Sequence, residues 1–402
     1  MTVSVRLDQD RGAWVRRAVA LVATAGAVLA FGRALGLISL PFGGSQSSTA
    51  WEWNLAKDFP TPVVAADTPM TTERVDLGRY LFYDQRISGN GTTSCGTCHM
   101  QSKAFTDGRA RAKGSTGQLH SRSALAVINI AFNRTFAWAN PSLTTPEKQM
   151  LVPLFGSNPV EMGVTDTNKD QVLGRLSTDP RYATMFKTAF PNERTPITWH
   201  NVILAIAAFE RTLISDTSKY DRYLAGTATL AASERRGMDL FFGERAECHH
   251  CHSGINFNDQ LTYVGAPEQP LKFHNTGLYN VGGTGVFPSG NTGLHEITGL
   301  ADDQGRFRAP TLRNIALTAP YMHDGTIPTL DAVVAFYAAG GRNVTGGPNA
   351  GDGRTNPHKD PLIARIRLTP AEQADLVAFL RTLTDARFVT DPAFSDPFGN
   401  VK

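Results

Sequence analysis

Cysteine is scarce in this sequence: four residues in 402. Four cysteines cannot staple a chain of this length. With 41% hydrophobic and 19% charged residues, a sizeable core forms without staples. A charge surplus is also missing. The formal net charge is +3, and residues 1–50 carry all of it through Arg6, Arg11, Arg16, Arg17 and Arg33 against Asp8 and Asp10. Residues 51–402 balance at 34 basic and 34 acidic, which excludes the basic surface that a nucleic-acid partner requires. Strand signals are few, and long apolar runs are absent beyond the N-terminus. There, Arg16 and Arg17 precede an apolar run from Ala18 to Phe31, and "ALGLISLPF" leads into "GGSQSSTA". Basic, then apolar, then small and polar is the order of a secretory signal, with cleavage before Trp51. Ala18 to Phe42 is also about as long as a tilted membrane span. Residues 1–50 are therefore assigned to a signal peptide or an N-terminal membrane anchor, and export is expected.

What is present is a pattern. All four cysteines fall in "CGTCH" at 95–99 and "CHHCH" at 248–252. Disulfides Cys95–Cys98 and Cys248–Cys251 would close loops too small to stabilise anything. Two Cys-x-x-Cys pairs could make a four-thiolate zinc site. Neither arrangement calls for the trailing histidines. With 10 histidines in the chain, one after both pairs by chance has odds on the order of one in a thousand. Cys-x-x-Cys-His is the attachment signature of c-type haem. Two thiols bond the two vinyl groups of one porphyrin, and the next side chain reaches the iron as proximal ligand. The expected cofactors are two covalent haems, one on Cys95, Cys98 and His99, the other on Cys248, Cys251 and His252. His249 and His250 are spacers in this reading.

A repeat surrounds the motifs. "GRYLFYD" (Gly78, Leu81, Phe82, Tyr83) precedes the first and "GMDLFFG" (Gly237, Leu240, Phe241, Phe242) the second, each after a charged helical lead-in. "WHNVILAIAAFERTLI" places Val202, Ile203, Ile206, Phe209 and Leu213 on one helical stripe. "TPAEQADLVAFLRTL" opens with a capping box: Thr369 at the N-cap, Pro370 first in the helix, Glu372 as partner. Leu376, Leu380 and Leu383 form its apolar face. Gly- and Pro-rich stretches at 282–293 and 340–357 read as surface loops. The fold class expected is mainly α: two cytochrome c-like haem domains in tandem, with long loops and little β. The N-terminal domain is placed at 51–225 and the C-terminal domain at 226–402, with the break in "SDTSKYDRYLAGTATL".

Other segments are more specific than the haem motifs: "NPVEMG" (158–163), "FHNTGLYN" (273–280), "APTLRNIALTAPYMHDG" (309–325) and "TLDAVVAFY" (329–337). With "GTTSCGTCH", they make the chain similar to the bacterial di-haem cytochrome c peroxidase and MauG family from about residue 70 to 385. The resemblance implies a periplasmic enzyme that reduces hydrogen peroxide to water at the N-terminal haem. Electrons would arrive at the C-terminal haem from a small cytochrome c or cupredoxin, and a homodimer fits the pattern. The alternatives are a MauG-like enzyme oxidising side chains of a partner protein, and a non-catalytic di-haem electron carrier.

The resemblance also implies roles for residues. Some family members ligate the second haem with a methionine fourteen residues after the histidine that is His323 here. That position is Tyr337, the MauG-type arrangement. A thioether favours ferrous iron and a phenolate the ferric state. Met322 is the competing ligand, and a core aromatic on a helix from Thr329 to Gly340 is the structural alternative. At the first haem, the removable histidine of some members, seven residues before the residue that is Arg122, falls on Ser115. An open iron is implied there, with His120 out of register, a solvated loop residue or a transient ligand. Glu161 aligns with the distal acid that moves a proton between peroxide oxygens; the alternative is a helix-cap carboxylate. Gln149 and Pro153 align with distal-pocket positions, with two extra residues before Glu161. Trp138 aligns with the relay aromatic between the haems, within "FAWANPS" rather than "FWDGRA". One Ca²⁺ is implied between the domains, bound by the carbonyls of Thr318 and Pro320, with Ser123 in place of an asparagine ligand.

Overall fold

The structure is a computed structural model, and it describes residues 49–399. The apolar N-terminal stretch read as a signal or anchor lies outside the described residues. Within them no helix is long and apolar enough to cross a membrane.

Eleven α-helices order the described residues. The first six are α1 (Thr72–Tyr83), α2 (Cys95–Cys98), α3 (Pro146–Phe155), α4 (Lys169–Ser177), α5 (Pro180–Ala189) and α6 (Trp199–Thr212). The rest are α7 (Lys219–Leu224), α8 (Ala232–Phe241), α9 (His295–Thr298), α10 (Leu330–Ala338) and α11 (Pro370–Arg381). Strand is confined to two antiparallel pairs, β1 (His274–Asn275) with β2 (Arg306–Phe307) and β3 (Asn343–Val344) with β4 (Gly351–Asp352). The helix ends follow their capping residues. Thr71 accepts the Arg74 N–H at 3.2 Å to start α1. The box at α11 closes in both directions, with Glu372 Oε2 accepting the Thr369 N–H at 2.8 Å.

The repeat read from the sequence is a repeat of packing. Helix α1 crosses α6 at Gly78, where a Cβ would stand 1.8 Å from the Ala205 carbonyl oxygen and 2.9 Å from Phe209 Cβ. Helix α8 crosses α11 at Gly237, where a Cβ would stand 1.9 Å from the Asp375 carbonyl oxygen and 2.9 Å from Phe379 Cβ. Only a residue without a side chain lets the backbones meet this closely. One turn on, Phe82 packs edge-on against Phe209 and Phe105 at 5.3 and 6.1 Å. Phe241 packs tilted against Phe379 at 5.2 Å and edge-on against Phe257 at 5.8 Å. Two hydrophobic clusters result. One gathers residues from Met70 to Leu213 with Phe388; the other gathers Ala139 and residues from Phe241 to Leu383. Helix α6 is buried on every side, more fully than the single stripe predicts.

Polar side chains join the two clusters, again in repeat. Asn129, at φ 52°, donates its N–H to the Leu213 carbonyl and its amide to the Ser215 carbonyl. Asn314, at φ 57°, donates its N–H to the Leu383 carbonyl, and its side-chain oxygen accepts the Asp385 N–H. Ser215 and Asp385 then hydrogen-bond to one another at 3.2 Å. Arg313 is buried and forms a two-bond ion pair with Asp221 on α7 at 2.9 and 3.0 Å. The expected boundary at 225/226 falls just after α7, and the Tyr220 N–H of that helix donates to the Thr382 carbonyl.

The glycine-rich stretches are largely surface loops, as expected, but each also tucks side chains inward. Phe287 is 2% exposed, and Asn291 and Asn356 are also buried. Glycines let these loops fold inward: a Cβ on Gly305 would lie 2.0 Å from the Phe287 ring, and one on Gly351 would lie 1.8 Å from the Asn280 carbonyl oxygen.

The crossings have a built-in control, because Gly174 in α4 has nothing within 4 Å of an added Cβ. Gly78→Ala and Gly237→Ala are each expected to cost ~1–3 kcal/mol, as overpacking does. Gly174→Ala should stabilise α4 by ~0.5–1 kcal/mol. Thermal unfolding of the three variants checks the contrast.

Candidate functional site

The two Cys-x-x-Cys-His motifs lie one against each cluster, with Cys95 packed on the first and Cys248 on the second. Among the described residues no disulfide joins the four cysteines. Burial raises the Cys98 thiol to about 11 and the Cys248 thiol to about 12, and it raises Cys95 as well. Each motif histidine is fixed from behind. His99 Nδ1 donates to the Phe105 carbonyl at 2.9 Å, and His252 Nδ1 to the Phe257 carbonyl at 3.0 Å. Both phenylalanines have positive φ, 60° and 48°, which turns their carbonyls toward the imidazoles. Burial lowers the pKa of both histidines. Each therefore presents a neutral ring with Nε2 unprotonated, the state that binds iron.

Around the first motif, two loops bring distant residues together. The Ser115 N–H donates to the Glu161 carbonyl at 2.7 Å, and the Val160 N–H to Gln118 Oε1 at 3.0 Å. Gly114 permits the approach, since a Cβ there would lie 1.8 Å from the Val160 carbonyl oxygen. His120 Nδ1 consequently stands 3.7 Å from Glu161 Oε1. Burial raises the Glu161 carboxyl to about 7 and lowers the His120 imidazole. The expectation of a solvated loop histidine is corrected: His120 is half-buried and faces the carboxyl. Gln149 and Pro153 stand on α3, and the Pro153 carbonyl accepts the Met162 N–H at 2.9 Å. That bond ties the distal segment to the helix despite the two extra residues.

Around the second motif, one cavity is lined by Cys248, Cys251, His252, Tyr337, Met322 and Trp138. Burial pushes the Tyr337 phenol upward, and the neighbouring Cys251 and Cys248 add to the rise. Trp138 donates its indole N–H to the Ser123 carbonyl at 3.0 Å and packs edge-on against His323 at 6.4 Å. Ser123, Thr318 and Pro320 line this cavity too. The Ser123 hydroxyl donates to the Met322 carbonyl at 3.1 Å.

Three groups here have surroundings that the sequence reading does not supply. His274 is held between Asp259 and Asp360, each at 2.7 Å, and lies 3.6 Å from Cys251 Sγ. Burial alone would lower its pKa, but the two carboxylates outweigh burial and raise it to about 12. An imidazolium therefore stands beside the second motif. His323 is stacked on Phe307 at 3.7 Å, and burial lowers it to about 3. Arg308 is buried and donates to the Thr135 carbonyl, and its Nε has no hydrogen-bond partner among the described residues. "FHN" contains His274, but only folding shows its carboxylate partners.

Comparison with known proteins agrees with this geometry. The model of the family described as di-haem cytochrome c peroxidase matches residues 72–229. The cytochrome-c peroxidase IdrP1 of Denitromonas iodatirespirans is 35% identical over 354 residues, 84% of this chain and 87% of that protein. The chain belongs to the di-haem cytochrome c peroxidase family. The methylamine utilization protein MauG of Methylorubrum extorquens is 33% identical over 78% of this chain and 79% of its own length. A crystal structure of a MauG-like protein associated with microbial copper homeostasis superposes with a TM-score of 0.85 at 52% identity, covering 87% of this chain and 100% of that one.

As a family member the chain is an oxidoreductase of mainly α fold with two covalently bound c-type haems. The residues present fit that cofactor. Each motif supplies two thiols for the vinyl groups and a neutral, back-bonded imidazole for the iron. Cys95, Cys98 and His99 would hold one haem, and Cys248, Cys251 and His252 the other, with Tyr337 lining the second site.

Whether Tyr337 closes the second iron is open to a direct test. Tyr337→Met in the holoprotein is expected to raise the midpoint potential of one haem, since a thioether favours the ferrous state. Redox titration followed by visible spectroscopy measures it. An unchanged potential would make Tyr337 a core aromatic.

Proposed function

We propose that this chain is an exported, periplasmic peroxidase that reduces hydrogen peroxide to water at its first haem, with electrons from a small cytochrome c or cupredoxin. The observation that carries the reading is Glu161, a carboxyl raised to about 7 and set by two loops at the first motif. When bound there, the haem supplies an iron that binds peroxide and takes up its oxidising equivalents. Glu161 Oε1 accepts a proton from one peroxide oxygen and returns it to the departing one, so that water leaves. A group with a pKa near neutrality can do both. His120, 3.7 Å away, is kept neutral by burial and adds no charge that would trap the carboxylate. Gln149 and Pro153 shape the wall beside Glu161. Trp138, hydrogen-bonded to Ser123 and beside His323, is the relay toward the second haem. Ser123, Thr318 and Pro320 are the candidate Ca²⁺ ligands.

A second reading rests on Tyr337 and on the relative at 52% identity. In it the electrons come from side chains of a partner protein, as the phenol at the second site and the MauG-like neighbour favour. Steady-state kinetics separate the two. Peroxide turnover with a reduced small cytochrome c or cupredoxin supports the first reading. Rapid consumption of peroxide with negligible turnover of any such donor supports the second.

Both readings give Glu161 the same task. Glu161→Gln is expected to slow the reaction with peroxide by about 10²–10⁴-fold. In the unaltered protein the rate should fall as the pH drops through about 7, because protonation removes the proton acceptor. Glu161→Gln should lose this pH limb. Stopped-flow mixing with peroxide across pH checks both expectations.

A further inference from the structure

The two haem motifs differ in their middle residues: Gly96 and Thr97 in the first, His249 and His250 in the second. Thioether attachment needs neither histidine. They lie on a short 3-10 turn, Cys248–His250, with ring centroids 4.1 Å apart and planes tilted by 34°. Glu244 reaches both: Oε1 is 3.8 Å from His249 Nε2, and Oε2 is 3.5 Å from His250 Nε2. The ligand atoms of these three residues fall within 4.8 Å of one another. Donors bound tetrahedrally to one ion at ~2.0–2.2 Å are roughly 3.3–3.6 Å apart, so side-chain shifts of up to about an ångström close the site.

A separate observation points the same way. Glu247 is 6% exposed, and its Oε2 has no hydrogen-bond partner among the described residues. That oxygen stands 2.9 Å from His250 Nε2. Its residue is held at φ 55°, a conformation that non-glycine residues seldom adopt. This buried carboxylate is aimed at an imidazole already shared with Glu244, so a second carboxylate oxygen faces the cluster. The other cluster of metal-binding types, Cys251 with His274 and Asp360, is spoken for: Cys251 belongs to the haem, and His274 is held protonated by its two carboxylates.

We infer that Glu244, His249 and His250, backed by Glu247, form a binding site for a borderline divalent cation, Zn²⁺ or Cu²⁺. Two imidazole nitrogens with carboxylate oxygens suit these ions, while Ca²⁺ and Mg²⁺ prefer oxygen alone. None of these four residues is among the expected haem ligands, and the inference is independent of which electron source serves the enzyme.

The test uses the holoprotein stripped with a chelator, then titrated calorimetrically with ZnCl₂ and, in a second arm, with CuSO₄. Binding of either ion at one equivalent per chain, with a Kd of roughly micromolar or tighter, is expected. The His249→Gln/His250→Gln variant keeps both cysteines and His252, and its haem content is checked by pyridine haemochrome. It should bind at least about tenfold more weakly, as should Glu244→Gln. In the copper arm, EPR should show coupling to two imidazole nitrogens that the double variant lacks. Failure of both ions to bind up to about millimolar concentration, or equal binding by the double variant, would overturn the inference.

Discussion

Backbone contact at two glycines is the constraint on which the rest depends. Where α1 meets α6 and α8 meets α11, a single added carbon would sit inside a carbonyl oxygen. Close crossing brings Phe82 and Phe241 onto the partner helices and onto Phe105 and Phe257. Those two residues are then held with positive φ, and their carbonyls meet His99 and His252. A helix crossing thus orients an imidazole more than a turn away, through an aromatic contact and one hydrogen bond. The link is physical in each half, and its repetition gives two equivalent haem cradles from sequences that share few residues.

Different chemistry is then added to equal frames. At the first cradle, a carboxyl raised by burial faces a histidine lowered by burial, a pair suited to moving protons. At the second, a phenol lines the cavity and an imidazolium held by two carboxylates stands beside a motif cysteine. Proton management is concentrated on one side and fixed charge on the other. That asymmetry suits the proposed division between a site where peroxide reacts and a site that exchanges electrons.

The segment "TLRN" shows why a family signature need not be catalytic. Thr311 bonds Asn256, Arg313 pairs with Asp221, and Asn314 holds the Asp385 N–H. A buried arginine is tolerable only with its carboxylate and carbonyl partners in place. Loss of Asp221 would leave that cation unpaired between the clusters. The signature is a joint between the two clusters.

The sequence alone determined whatever is encoded by contiguous spacing. Cys-x-x-Cys-His names its cofactor because both thioethers and the proximal ligand come from five successive residues. Thr369, Pro370 and Glu372 announce a helix start because capping is local. The glycine–phenylalanine repeat marked where the two halves correspond. Only the tertiary structure decided what meets through space. His120 and Glu161 are 41 residues apart, His274 is sandwiched by Asp259 and Asp360, and Phe287 is buried in a stretch that reads as an exposed loop. Spacing along a chain carries no information about such pairs, because loops of glycine and polar residues can run in many directions. Close approach at Gly114, Gly305 and Gly351 selects one of them, and with it the environment that sets each group's charge.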